Sequence, residues 1–194
     1  MTNNLPSAKK ALILEAAAKL FRDKGYKATS MRDLAAAVNL KASSLYNHIG
    51  SKEELLKVIC FANANHFLKG LEKIEQKDIS AFEKIKALLQ LHITIALEDI
   101  TSITSFNDEW RQLSEPDLSA FLEMRKDYER RFIQIIETAQ EDKALKTLDP
   151  TFCLYTILSS TRWVYDYNQQ SKNKKPGQIK NTIQRIILDG ICER

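Results

Sequence analysis

Turn-forming residues are scarce in this 194-residue chain, with five glycines and four prolines in all. A β-sandwich or barrel needs such residues at every reversal, so their shortage excludes all-β architectures and leaves long helices. Cysteine is also sparse. Cys60, Cys153 and Cys192 lie far apart and are odd in number. They make neither a disulfide framework nor a metal-ligand set, which points to a reducing cytosol and no metal site. No apolar run approaches the ~18 residues of a membrane span. Met1 to Lys10 lacks the apolar core of a secretory signal. A cytoplasmic protein with no membrane contact is therefore expected.

Catalytic signatures are missing as well. His66 and His92 stand isolated, and no serine or cysteine has an evident histidine and acid partner. There is no glycine-rich phosphate loop and no spaced carboxylate pair. The expectation is a protein that is not an enzyme and needs no cofactor.

What the chain does have is an uneven charge. Hydrophobic residues make up 44% and charged residues 28%, with a net charge of +4. Residues 1–57 hold ten Lys/Arg against five Asp/Glu, whereas the rest hold 19 against 20. The whole basic excess lies in the first third, which points to an anionic partner at that end.

Helical periodicity runs through the whole sequence. Leu12, Ile13, Ala16, Ala17, Leu20 and Phe21 place a first helix at about 7–24, started after Pro6 and Ser7 and stopped by Gly25. Ser30 followed by Asp33 makes a capping box for a short helix at 31–37. Asn39, suited to a positive φ, turns the chain into a third helix at 42–48. Gly50 and Ser51 end it and cap a longer helix at 51–75, with Glu53 and Glu54 in its first turn. Further helices are expected at 79–99, 103–113, 117–141, 150–170 and 177–193. The fold class is thus all-α, with about nine helices. The first three helices fall within residues 1–51, and the longer ones follow.

Two short helices about four residues apart, behind a longer one, have the helix-turn-helix layout. In the third helix Leu45 is the one large aliphatic anchor, expected against Leu34 and Val38. Its other positions, Ala42, Ser43, Ser44, Tyr46, Asn47 and His48, are small or hydrogen-bonding and suit a major groove. Lys41 and Lys52 bracket the helix and can neutralise phosphates. Thr29 and Ser30 offer a second anion site at a helix N-terminus. Arg32 serves equally well as a DNA contact or as a partner for Asp33. Lys9 and Lys10 are either a solvated tail or a basic arm that reaches the minor groove.

Four runs follow one another between Ile13 and Leu56: Leu20-Phe21-Arg22-Asp23-Lys24-Gly25-Tyr26, Thr29-Ser30-Met31-Arg32-Asp33-Leu34-Ala35, Ser44-Leu45-Tyr46-Asn47-His48 and Ser51-Lys52-Glu53-Glu54-Leu55-Leu56. In their order and spacing the chain resembles the DNA-binding domain of TetR-family regulators. Ile49, where an aromatic residue is usual, and Gly50, where proline or another small residue is common, depart from the family pattern. The resemblance implies that 42–48 is the recognition helix, with Tyr46, His48 and Lys52 near phosphates. It further implies a helix-turn-helix DNA-binding domain at 1–51 and an all-helical ligand-binding and dimerisation domain at 52–194, in a ligand-responsive repressor that sits as a homodimer on a palindromic operator and takes a small-molecule effector in its C-terminal part.

For the dimer, the last two helices supply Phe152, Tyr155, Thr156, Ser159, Ser160 and Trp163, with Ile179, Ile183, Ile186, Ile187, Gly190 and Ile191, the alternative for this stripe being a monomeric core. Effector-pocket candidates are Phe106, Trp110, Leu113, Phe121, Met124, Tyr128, Arg162, Trp163 and Tyr167. Glu109-Trp110-Arg111 paired with Arg162-Trp163-Val164-Tyr165 looks like the TetR-type regulators that sense acyl-CoA thioesters, with Arg162 and Lys172 to Lys175 available for phosphates. The alternative to a regulator is a helical module that binds a partner or membrane surface through its basic end. Its binding would follow anionic charge whatever the DNA sequence.

Overall fold

A computed structural model describes residues 8–98, 108–170 and 176–191, and the side chains of 98, 165–170, 176, 190 and 191 lie outside the description. All its regular structure is helical: α1 (Ala8–Lys24), α2 (Met31–Ala37), α3 (Ala42–Tyr46), α4 (Lys52–Glu75), α5 (Ala81–Glu98), α6 (Asp117–Glu141), α7 (Pro150–Gln170) and α8 (Pro176–Ile191), with one 3₁₀ turn at Trp110–Gln112. The expected helix at 103–113 lies partly outside the described residues; of those described, Asp108 and Glu109 are α-helical and Trp110–Gln112 form the 3₁₀ turn. No helix among the described residues is long and apolar enough to cross a membrane.

Two compact units can be separated. One holds residues up to Asn63 together with the described residues 108–121, and the other holds the remainder. The first half of α4 therefore packs with the head, although the functional division drawn at 51/52 is a different matter.

In the head unit α1 packs on α2, and α2 on α3. Ile13, Ala17, Phe21, Leu34, Leu45 and Ile49 are buried to within 1% exposure, so each of the three helices contributes to one small core. Gly25 takes φ +84° and Asn39 φ 52°, the left-handed turns that end α1 and join α2 to α3. Helix α3 stops two residues before its expected end. The His48 amide bonds the Leu45 carbonyl at 2.9 Å, a tightened last turn, while Ile49 folds into the core where the family usually has an aromatic.

In the second unit α5 packs against both α7 and α8. Its buried Ile85, Leu88, Leu89, Ile93 and Ala96 form the centre of that core. Gly70 brings α4 close to α5, since a Cβ there would stand 2.4 Å from Leu91 Cδ2. Arg131 ties α6 to the last residue of α4 through an ion pair with Glu75, and also pairs with Asp127.

One histidine is buried in this unit. His92 shares a 2.7 Å hydrogen bond with the Tyr128 hydroxyl and stacks on Phe67 with centroids 4.6 Å apart. Burial pushes its pKa down from 6.5 to about 4. A neutral buried imidazole contributes stability that is fully present above the unfolded pKa of 6.5. That contribution is lost as the pH falls toward the folded value. Unfolding free energy is thus expected to fall by about 1.4 kcal/mol for each pH unit across that window. Denaturant titrations of the wild type and of His92→Gln check this, because the variant should lose that part of the slope. Equal slopes would show that His92 does not set the acid limit.

Candidate nucleic-acid interface

The second helix of the motif starts from a complete cap. Ser30 is its N-cap, with its hydroxyl accepting the Asp33 amide at 3.1 Å, while the Asp33 carboxylate accepts the Ser30 amide at 2.8 Å. The Ser30 hydroxyl and amide, with Lys24 beside them, hold the Asp33 carboxyl down at about 2. Asp33 is thereby taken by Ser30 and Lys24, which leaves Arg32 exposed on the outer face.

The third helix has one buried side chain, Leu45, and its neighbours face outward to different degrees. Tyr46 is 53% exposed. Lys41, Ser43 and Asn47 are exposed, and Ala42, Ser44 and His48 are half-buried. A short helix anchored by one leucine, with a phenol and small polar groups on its other faces, has the shape and hydrogen-bonding capacity for a major groove.

Two residues read from the sequence as anion contacts have other bonds. The Thr29 side chain is buried, its hydroxyl donating to the Gly25 carbonyl at 2.9 Å and the Leu20 carbonyl at 3.4 Å. The Lys52 ammonium donates to the carbonyls of Tyr26 at 2.7 Å and Thr29 at 2.8 Å, and lies 4.2 Å from the Tyr26 ring centroid. Both side chains therefore brace the loop before α2. Lys10 reaches Glu54 at 3.3 Å, and Glu54 in turn accepts the Gly50 amide at 2.8 Å, so α1 is tied to the start of α4.

A contact absent from the sequence reading completes this loop. Glu109 Oε1 accepts the backbone N–H of Tyr26 at 2.8 Å across 83 residues of chain. Burial raises the Tyr26 phenol's pKa, and the charges of Glu53 and Glu109 raise it further. Burial, with a contribution from Glu109, pushes the nearby Cys60 thiol up to about 12, so it stays protonated and unreactive.

The effector and dimer candidates separate by unit. In the first unit Trp110 stacks on Phe121 at 5.8 Å, with Arg111 over its face at 4.4 Å and Leu113 buried. Met124, Tyr128, Arg162 and Trp163 belong to the second. Tyr128 is buried, Met124 half-buried, and Arg162 and Trp163 exposed. Phe106 and Lys172 to Lys175 lie outside the described residues, as do the side chains of Tyr165 and Tyr167. Of the dimer candidates, Ile179, Ile183 and Ile187 are buried in the chain's own core. Among the described side chains, the large apolar groups that reach the surface of α7 and α8 are Phe152, Tyr155, Trp163 and Ile186, and Ser159 is exposed as well. Gly190 has no side chain to place, and that of Ile191, at the end of α8, lies outside the description.

A basic, capped helix-turn-helix head on an all-helical body defines a DNA-binding transcription regulator rather than an enzyme. Residues 13–59 match the family described as bacterial regulatory proteins, tetR family, and residues 78–191 match the tetracyclin repressor-like C-terminal domain. The chain belongs to the TetR family.

Among its relatives is the HTH-type transcriptional repressor KstR2 of Mycolicibacterium smegmatis, 24% identical over 99% of this chain and 95% of that protein. The fold is similar to that of the ketosteroid transcriptional regulator KstR2 of Mycobacterium tuberculosis. That likeness has a TM-score of 0.86 at 20% identity and covers 100% of this chain and 98% of the other. It is also similar to AibR in complex with isovaleryl coenzyme A and operator DNA, with a TM-score of 0.80 at 23% identity, covering 92% and 97%.

Proposed function

We propose that this chain is a homodimeric repressor that binds a palindromic operator and leaves it when a small, largely apolar effector binds. The observation that carries the DNA half is the outward-facing third helix, with Tyr46, Ser43, Asn47 and Lys41 around a single buried anchor. Its second copy on a dimer would enter the next major groove, about 34–36 Å away. Residues 1–51 then read DNA, and 52–194 dimerise and take the effector. A protein that acts on bacterial operators works in the cytoplasm.

The dimer reading rests on α7 and α8, where Phe152 is 74% and Ile186 72% exposed. Large apolar side chains grouped on adjoining helices mark an interface more often than a solvated surface. The effector reading rests on relatives. AibR carries an acyl-CoA thioester, and this chain has Arg162 and Trp163 on α7 with Trp110, Phe121, Met124 and Tyr128 elsewhere. A coenzyme A thioester with an apolar acyl group is therefore the ligand class to test first. Coupling between effector and DNA requires only that the effector prefer the conformation whose heads do not fit the operator.

Genome-fragment selection with the purified protein tests the regulator reading. A palindromic consensus bound far above random DNA supports it. Sequence-blind, salt-sensitive binding would favour the alternative module that recognises anionic surfaces by charge. Acyl-CoAs of several chain lengths that neither shift the melting temperature nor release DNA would remove the thioester. Tyr46→Ala should weaken operator binding by about 1–3 kcal/mol with little change in melting temperature, because the ring is exposed. Unchanged affinity would take Tyr46 out of the interface.

A further inference from the structure

The two peptide groups that flank Tyr26 are held by opposite charges from distant parts of the sequence. The Tyr26 N–H is bonded by the Glu109 carboxylate and its C=O by the Lys52 ammonium. Lys52 also bonds the Thr29 carbonyl, Thr29 bonds Gly25, and the Phe21 ring meets Tyr26 edge-on at 5.1 Å. The loop 25–29 is thus tied on all sides, and its next residue, Ser30, is the cap that fixes where α2 starts. Glu109 is the one member of this clamp that does not come from residues 20–52.

Glu109 itself stands on a well-fixed segment. Trp110 stacks on Phe121, Phe121 meets Phe61 of α4 at 6.2 Å, and Lys57 pairs with Asp117 at 2.8 Å. Phe121 lies on α6, which runs unbroken to Glu141. A carboxylate accepting a backbone N–H makes a charge-assisted bond, stronger and more directional than a neutral one. We propose that Glu109 is a positioning residue for DNA binding. Through the Tyr26 amide it holds the loop before α2, and with it the helix-turn-helix, in the orientation that reads an operator half-site. The proposal rests on the regulator reading above. It adds that the described residues just before α6 reach the loop before α2 through the Glu109 carboxylate.

Two measurements on the full-length protein test it, using Glu109→Ala and Glu109→Gln. The first is amide hydrogen exchange without DNA. In Glu109→Ala the Tyr26 amide should exchange at least about tenfold faster while α1 amides keep their wild-type protection. Glu109→Gln, which retains an acceptor oxygen, should restore most of the protection. The second is affinity for the selected operator and for versions with the half-sites moved apart by one and two base pairs. The wild type should discriminate steeply among the three. Glu109→Ala should bind the best spacing about tenfold more weakly and discriminate less, an outcome that a mere loss of stability would not give.

A protected Tyr26 amide in Glu109→Ala overturns the contact. A loosened amide with wild-type affinity and spacing preference overturns the positioning role. The exchange arm needs no DNA. If the wild type selects no operator, that failure belongs to the regulator reading, and the contact is still judged on its own.

Discussion

Leu45→Ala is expected to cost about 2–5 kcal/mol and to remove operator binding with it. Leu45 is fully buried and is the only side chain of α3 in the head core. A Leu→Ala change in such a site loses the transfer free energy of the removed methyl groups and leaves a cavity lined by partners that collapse only in part. The head core is small, with Ile13, Ala17, Phe21, Leu34 and Ile49 among its other fully buried members, beside Leu55, Leu56 and Cys60 of α4. A helix of five residues has too few backbone hydrogen bonds to persist without that anchor. The variant should therefore lose exchange protection in α3 while α5 to α8 keep theirs. Denaturant unfolding and site-resolved exchange check this together. Operator binding at wild-type strength would show that α3 is held by something other than Leu45.

The same residues show what the sequence made legible. Helices α2, α6 and α7 have the residue limits expected of them, because each start carries a local signal: Ser30 with Asp33, Asp117 after Pro116, and Pro150 after Asp149. The positive φ at Asn39 and the stop at Gly25 are equally local. Periodicity likewise identified the buried face of α8, but not what it faces. Ile179, Ile183 and Ile187 recur every four residues whether they meet α5 or a second subunit, and in the structure they belong to the chain's own core. Only Ile186 among the isoleucines described on α8 is turned outward. Lys52 was legible as a cation next to α3, yet its bonds to Tyr26 and Thr29 depend on tertiary geometry. The Glu109 contact leaves no periodic trace, since a carboxylate that accepts one amide 83 residues away has no sequence spacing to reveal it.

The largest effect on function should come from the exposed apolar face of α7 and α8. Replacing Phe152 and Ile186 together with glutamate should convert a species of twice 22.2 kDa into one of 22.2 kDa in light scattering. Both side chains are more than 70% exposed, so the protomer fold should survive, with a melting temperature that no longer depends on protein concentration. In the dimer the same face would bury four carboxylates, two from each protomer, because a two-fold interface brings the patch onto its own copy. The consequence for DNA follows from linkage between half-sites. A dimer's second head binds at an effective concentration set by the body, which typically raises avidity by about 10²–10⁴-fold. The monomeric variant should lose that factor on the palindromic operator and bind it no better than an isolated half-site. Phe152→Glu with Ile186→Glu that remained dimeric would place the interface elsewhere on the second unit. A monomer that still bound the palindrome at full strength would show that the two heads act independently, and the release mechanism would then have to work within one head.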